Sequence, residues 1–252
     1  MVNTLNPNSV VDQFINTVDS AHARYLEMYS ILAASNLGRL ELRKSLTSDL
    51  AFRVGTEWEL FQHRWHIASI SKKPSTFVAT IQKDLNDALR KSQAKHILDT
   101  LWSNATTIPR RLSAEQIDAL IDPDGYNVTF KDGEAWAAKA GLHLAAAHAD
   151  AVRRVVSSPE DESLVALLKA VRNVIAHNST SSLEEFNRHV RSRPAGERVG
   201  LVGSSNAPLL RDGAARVRDV PTYLHGRGNA ASPRRVTVLT TRIMRVAQRL
   251  RI

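Results

Sequence analysis

Apolar residues recur at three- and four-residue steps along most of this chain, a rhythm that predicts one helix after another. The first such stretch covers 9 to 35, where Val11, Phe14, Ile15, Val18, His22, Tyr25, Tyr29 and Leu32 share a face. Gly38 interrupts it. A second long helix is expected from about Arg39 to Ser71 on Leu42, Leu46, Leu50, Val54, Trp58, Phe61 and Trp65, ended by Lys72-Lys73-Pro74. Shorter helices are expected near 76–92 and 94–104. Ser113-Ala114-Glu115-Gln116 has the form of a capping box that opens a helix through Leu120. Asp122-Pro123-Asp124-Gly125 reads as a turn. The Ala-rich stretch from Glu134 to Val156 reads as one helix, joined by a short loop to the next. Strand-like alternation is scarce before residue 195, and no internal repeat is evident. The pattern predicts an all-α helical bundle.

Beyond Pro194 the character changes. Gly and Pro cluster as far as Pro233, and RVGLVG suits a small strand or a loop, so 194–233 reads as a long ordered connection or a mobile arm. The end, SPRRVTVLTTRIMRVAQRLRI, regains helical rhythm with Val236, Leu239, Ile243, Val246, Ala247 and Leu250 on one face. The other carries Arg242, Arg245, Arg249 and Arg251, and no acid follows Asp219. The expected organisation is a helical domain over 1–193, the connection 194–233, and a basic helix over 234–252 packed on that domain.

The helix of greatest interest begins at Ser158-Pro159-Glu160-Asp161, where a Ser cap, Pro in the first turn and acids at the positive end coincide. Leu164, Leu167, Leu168, Val171, Val174 and Ile175 define its core stripe. Asn178-Ser179-Thr180 supplies a stop, since these side chains compete for backbone hydrogen bonds. Off the stripe lie Arg172, Asn173 and His177, with Arg172 and His177 about 140° apart at 100° per residue. Lys169, Val165 and small Ala176 lie between them. Arg carries a permanent charge suited to phosphate, and His exchanges protons near neutral pH. Together they are sufficient to cut RNA, whose 2′-hydroxyl is a built-in nucleophile. The spacing alone is a weak signal, because an exposed Arg and His on one helix are commonly just solvated. A looser Arg-x6-His match, Arg218 to His225, lies beside Pro221 in the Gly-rich stretch and reads as accidental.

Composition narrows the field. The chain has 252 residues, 43% hydrophobic content and a formal charge of +9, which favours a polyanionic partner. The absence of Cys removes disulfides, thiolate-zinc sites and thiol nucleophiles. There is no H-E-x-x-H, Gly-rich phosphate loop or G-x-S-x-G elbow. MVNTLNPNSVVDQF is not a secretory leader, and no apolar run reaches membrane-spanning length, so a cytoplasmic protein is expected.

The string RNVIAHN resembles the Arg-x4-6-His signature of the HEPN superfamily, all-α domains that include metal-independent ribonucleases. A polar residue follows the Arg, small or apolar residues come next, and a helix break follows the His. The wider arrangement is similar to the RiboL-PSP-HEPN type found beside RNA-repair and phage-defence genes, with Trp58-Glu59 at the place of that group's Trp-Glu pair. A middle stretch of short helices, here 97–140, then precedes the motif helix. The resemblance covers roughly 10 to 190 and is specific at 172–177. It implies an endoribonuclease of toxin or antiviral-defence type with Arg172, Asn173 and His177 as catalytic residues and no cofactor. It further implies that Glu59 anchors Arg172 and that two copies form a homodimer whose motif faces oppose each other. RNA is the expected substrate, gripped also by Lys169, Arg242, Arg245 and Arg249, with an antitoxin or defence-system protein as a further partner. One subgroup modifies a Tyr two residues after the His. Ser179 stands there in this chain, against that form of control. The alternative is a catalytically silent HEPN-like module that binds RNA or protein.

Three other features carry candidate chemistry. Gln62-His63-Arg64-Trp65-His66 places two His three apart on a helix, a conceivable metal pair without an evident third ligand, so no metal is expected. His22, His143 and His148 lie among Ala and Leu and read as core-edge histidines. Tyr223 could stack an RNA base beside the basic helix.

Overall fold

A computed structural model describes residues 5–34, 39–91, 112–122, 130–213 and 215–252. The chain is all-α, and no strand occurs among the described residues. In order, α1 spans Pro7–Ala34, α2 Leu40–Lys72, α3 Ser75–Lys91, α4 Ala114–Ile121, α5 Gly133–His143 and α6 Ala146–Val156. Then come α7 at Pro159–His177, α8 at Thr180–His189, a 3₁₀ turn at Ser204–Leu209, α9 at Val220–His225 and α10 at Arg235–Gln248. The expected helix at 94–104, the break at Gly38 and the body of the turn after Asp122 lie outside the described residues.

The chain divides into two compact units. One comprises residues 1–10, 62–153 and 252, and the other 11–61 and 154–251. Helices α1, α2 and α6 each run through both units, so neither is a contiguous piece of sequence.

In the first unit, Trp65 and Trp136 meet edge-to-face with centroids 6.5 Å apart, and Phe77, Ile117, Phe130, Ala140 and Val152 are buried with them. Helix α4 starts with the expected capping box, Ser113 and Gln116 bonding each other's backbone N–H groups. The single helix expected over 134–156 is instead broken. Leu144 adopts an extended conformation between α5 and α6 and buries its side chain, so packing overrides the helical propensity of the surrounding alanines.

In the second unit, Phe14 of α1 packs on Trp58 and Phe61 of α2, with Val11, Val18, Tyr25 and Val54 buried around them. Helix α7 buries Leu164, Leu167, Leu168, Val171 and Val174 of the stripe that periodicity assigned to the core, while Ile175 of that stripe is half-buried. Described residues between 194 and 233 also contribute to the core of this unit. Leu201, Leu209, Val220 and Leu224 are buried, and the fully buried Asn206 donates to the carbonyls of Glu160 and Val202 at 2.8 and 2.9 Å. Gly203 permits this packing: at φ +90°, a side chain there would be strained and would strike the Glu160 carboxylate.

Candidate functional site

Local sequence fixes both ends of α7. Ser158 accepts from the Asp161 N–H, Pro159 occupies the first turn, and Asn178 closes the helix in a left-handed conformation at φ 44°. This leaves His177 as the last helical residue, exposed, with no hydrogen-bond partner among the described residues. An open groove beside it is lined by Ala170, Asn173, Ser179, Ser181, Ser182 and Glu185. Ser179 and Ser182 also form the capping box that starts α8, so the hydroxyl-rich wall of the groove is held by helix initiation.

Arg172 is positioned from α2. Its Nη2 lies 3.3 Å from Glu59 Oε2, both side chains half-buried. Its Nη1 donates to Asn173 Oδ1 at 3.1 Å. The amide oxygen of Asn173 thus engages the arginine, and no Asn173–His177 hydrogen bond occurs among the described residues. Arg172 Nε is buried without an acceptor among the described residues.

Close approach of the two helices depends on Gly55, which sequence reasoning overlooked. A Cβ at this position would lie 2.6 Å from Arg172 Cβ and 3.0 Å from Cγ. A lone glycine inside a helical stretch is the available signal for such an approach. Ala176 is exposed on the outward face, while Val165 and Lys169 are half-buried.

The basic face of α10 is only partly what its sequence suggests. Arg242 is buried and pairs with Glu160 at 3.3 Å and Asp161 at 3.9 Å, and Arg249 also pairs with Asp161. Arg193 reaches Glu162 at 2.8 Å, and Arg251 reaches Asp12. The acids that open α7 therefore cap a helix and hold arginines from far along the chain. The Glu160 carboxyl is held below the usual range by hydrogen bonding from Ser205 and by Arg242, against the opposing effect of burial. Arg242 is withdrawn from the RNA-facing set because its guanidinium is enclosed by this pairing, and Arg249 is engaged in it. Arg245 remains exposed and has no partner among the described residues.

Tyr223 is likewise removed as a base-stacking residue. It is buried, its hydroxyl donates to the Leu209 carbonyl, and the Arg235 guanidinium lies 4.6 Å over its ring. The second Arg-to-His match dissolves too, since His225 Nε2 is 2.9 Å from Tyr29 Oη and burial with nearby Arg234 lowers its pKa to about 4. In the first unit, His63 and His66 turn to different partners. His66 Nε2 lies 3.1 Å from His143 Nδ1, and burial foremost lowers their pKa values to about 3 and 4. His63 Nε2 faces Asp118 Oδ1 at 3.1 Å.

No helix among the described residues is long and apolar enough to cross a membrane. Comparison with protein-family models, curated proteins and solved structures gives no match.

Proposed function

We propose that the chain is a metal-independent endoribonuclease of the HEPN kind, acting in phage defence or as a toxin, with Arg172 and His177 as its catalytic pair. One observation carries the reading. An anchored arginine and an exposed histidine without a partner among the described residues share the last turns of one helix, beside a groove walled by hydroxyl groups. Neither side chain fills the core. The unpaired donor on Arg172 Nε is a further sign that the residue is kept for something other than stability.

In this mechanism His177 takes the proton from a ribose 2′-hydroxyl, or delivers one to the departing 5′-oxygen. The 2′-oxygen attacks the adjacent phosphorus, the P–O5′ bond breaks, and a 2′,3′-cyclic phosphate remains. Arg172 stabilises the charge gathering on the phosphate oxygens. Glu59 positions the guanidinium, and Asn173, its Oδ1 turned to Arg172, keeps its amide N–H groups for the phosphate. The attacking group belongs to the substrate, so the step needs no metal-bound water.

A pair about 140° apart on one helix meets a single phosphate poorly. A two-fold axis near Ala176 would set each Arg172 and His177 beside those of a second copy, giving a composite cleft. Purified protein should cut RNA in excess chelator and leave 2′,3′-cyclic or 3′-phosphate ends, and a 2′-deoxyribose at the scissile position should block cutting. Ala176→Trp should give monomers with little activity. Products ending in 3′-hydroxyl, strict metal dependence, or a fully active monomer each contradict the reading.

The pairing of Arg172 with Glu59 favours a second reading, a silent module, because a neutralised arginine grips phosphate less strongly. RNA bound but left intact by the wild-type chain would select it.

A further inference from the structure

We propose that His63, Asp118 and Asp122 form a binding site for a first-row divalent metal ion of the Zn²⁺ or Mn²⁺ class. All three lie in the first unit, and neither Arg172 nor His177 takes part. His63 projects from α2 and is 5% exposed. Asp118 belongs to α4, and Asp122 is its C-cap, with its backbone N–H donating to the Asp118 carbonyl. Four-residue spacing sets the two carboxylates on one side of the helix end. One ligand atom from each residue falls within 4.8 Å of the others.

The detail that points to an ion is the 3.1 Å contact between His63 Nε2 and Asp118 Oδ1. The Asp118 side chain is half-exposed, but its Oδ1 is buried and accepts no hydrogen bond among the described residues, so the two atoms are close without the alignment that an N–H···O bond requires. Two ligands bound to one ion at about 2.0–2.2 Å stand roughly 3 Å apart along an edge of the coordination shell. The 3.1 Å separation matches such an edge. A buried carboxylate oxygen without a donor is costly, and a dication removes the cost.

The donor set selects the ion. An imidazole nitrogen disfavours Mg²⁺ and Ca²⁺, which take oxygen ligands, and two carboxylates disfavour soft monovalent copper. Three protein ligands leave positions for water. The ion serves to hold the fold together, because α4 has eight residues, too few for a stable isolated helix, and buried Ile117 is its main apolar anchor. Bridging His63 to Asp118 and Asp122 fastens α4 onto α2. The metal partner missing from the His63–His66 spacing is supplied by α4, which spacing within α2 could not reveal.

The test uses the full chain, stripped with chelator and dialysed, then titrated with zinc chloride or manganese chloride by calorimetry and followed by thermal melting. One equivalent should bind with a micromolar or tighter Kd and raise the Tm. Asp118→Asn and Asp122→Asn preserve shape and should each weaken binding by about tenfold or more and abolish the Tm rise. Matching circular dichroism of metal-free wild type and variants establishes that the fold is kept. If wild type binds neither ion, or the Asn variants bind as tightly as wild type, the site is overturned.

Discussion

Replacing Gly55 with Ala tests how the candidate site is positioned. The new methyl would sit 2.6 Å from Arg172 Cβ, whereas carbon atoms in ordinary contact are about 3.5–4.0 Å apart. The helices must therefore separate by about 1 Å, or the arginine stem must leave its place. Overpacking of this kind costs about 1–3 kcal/mol, offset by up to about 1 kcal/mol from the better helix propensity of Ala. The expected net is a loss of about 1–2 kcal/mol, or roughly 3–6 °C in Tm for a chain of this size. Activity should suffer more. A displacement near 1 Å is enough to lower a positioned reaction about 100-fold, and the Arg172–Glu59 contact is the first to open. Thr56→Ala is the control, since Thr56 is exposed on the same helix and its replacement gains propensity without a clash. The assays are thermal melting by circular dichroism and cleavage of a labelled RNA in chelator. A Gly55→Ala protein that melts at or above wild type and cuts RNA normally would refute the positioning argument.

Arg172→Ala and His177→Ala should each abolish cleavage while changing stability by no more than about 1 kcal/mol, because His177 is exposed and the Arg172–Glu59 pair is only half-buried; unaltered cleavage by His177→Ala would sink the catalytic assignment. Asp161→Asn should cost about 1–3 kcal/mol in urea unfolding, since a buried carboxylate shared by Arg242 and Arg249 is lost, and a neutral result would mean that α10 is held by its apolar face alone. Stability should decline as pH falls from about 6.5 to 4. His66, His143 and His225 have folded pKa values lowered to about 3, 4 and 4, so the unfolded chain binds more protons in that window and is favoured on acidification. Urea midpoints that stay flat from pH 7 to 4 would contradict these buried neutral imidazoles.

The parts of the fold legible in the sequence are those set by local chemistry. The Ser113 box, the Ser158 cap with Pro159, and the stop at Asn178 all work within a few residues of themselves, and the α7 core stripe follows from a single period. Features that depend on distant partners were not legible. Glu160 and Asp161 advertise a helix start, but nothing near them announces Arg242 or Arg249. The same blindness made α10 look like a free basic surface and Tyr223 look available to a base. Leu144 breaks a helix because the core accepts its side chain, a fact absent from the alanine-rich string around it. In the candidate site, the off-stripe placement of Arg172, Asn173 and His177 was readable, whereas the closeness of Gly55 belongs to the meeting of two helices.

The ion pairs joining α10 to the first turn of α7 also impose an order in time. Asp161 is made long before Arg242 and Arg249, so a growing chain carries the motif helix before the arginines that neutralise its buried carboxylate exist. Until then, burial of Asp161 is opposed by its own charge, and α7 has only its cap and apolar stripe to hold it. On the proposed function this delay has a use: a nascent chain would assemble its cutting helix only once α10 is free of the ribosome. Chains stalled before residue 235 should be protease-sensitive at α7 and inactive on RNA, whereas stalled chains with α10 fully exposed should resist the protease.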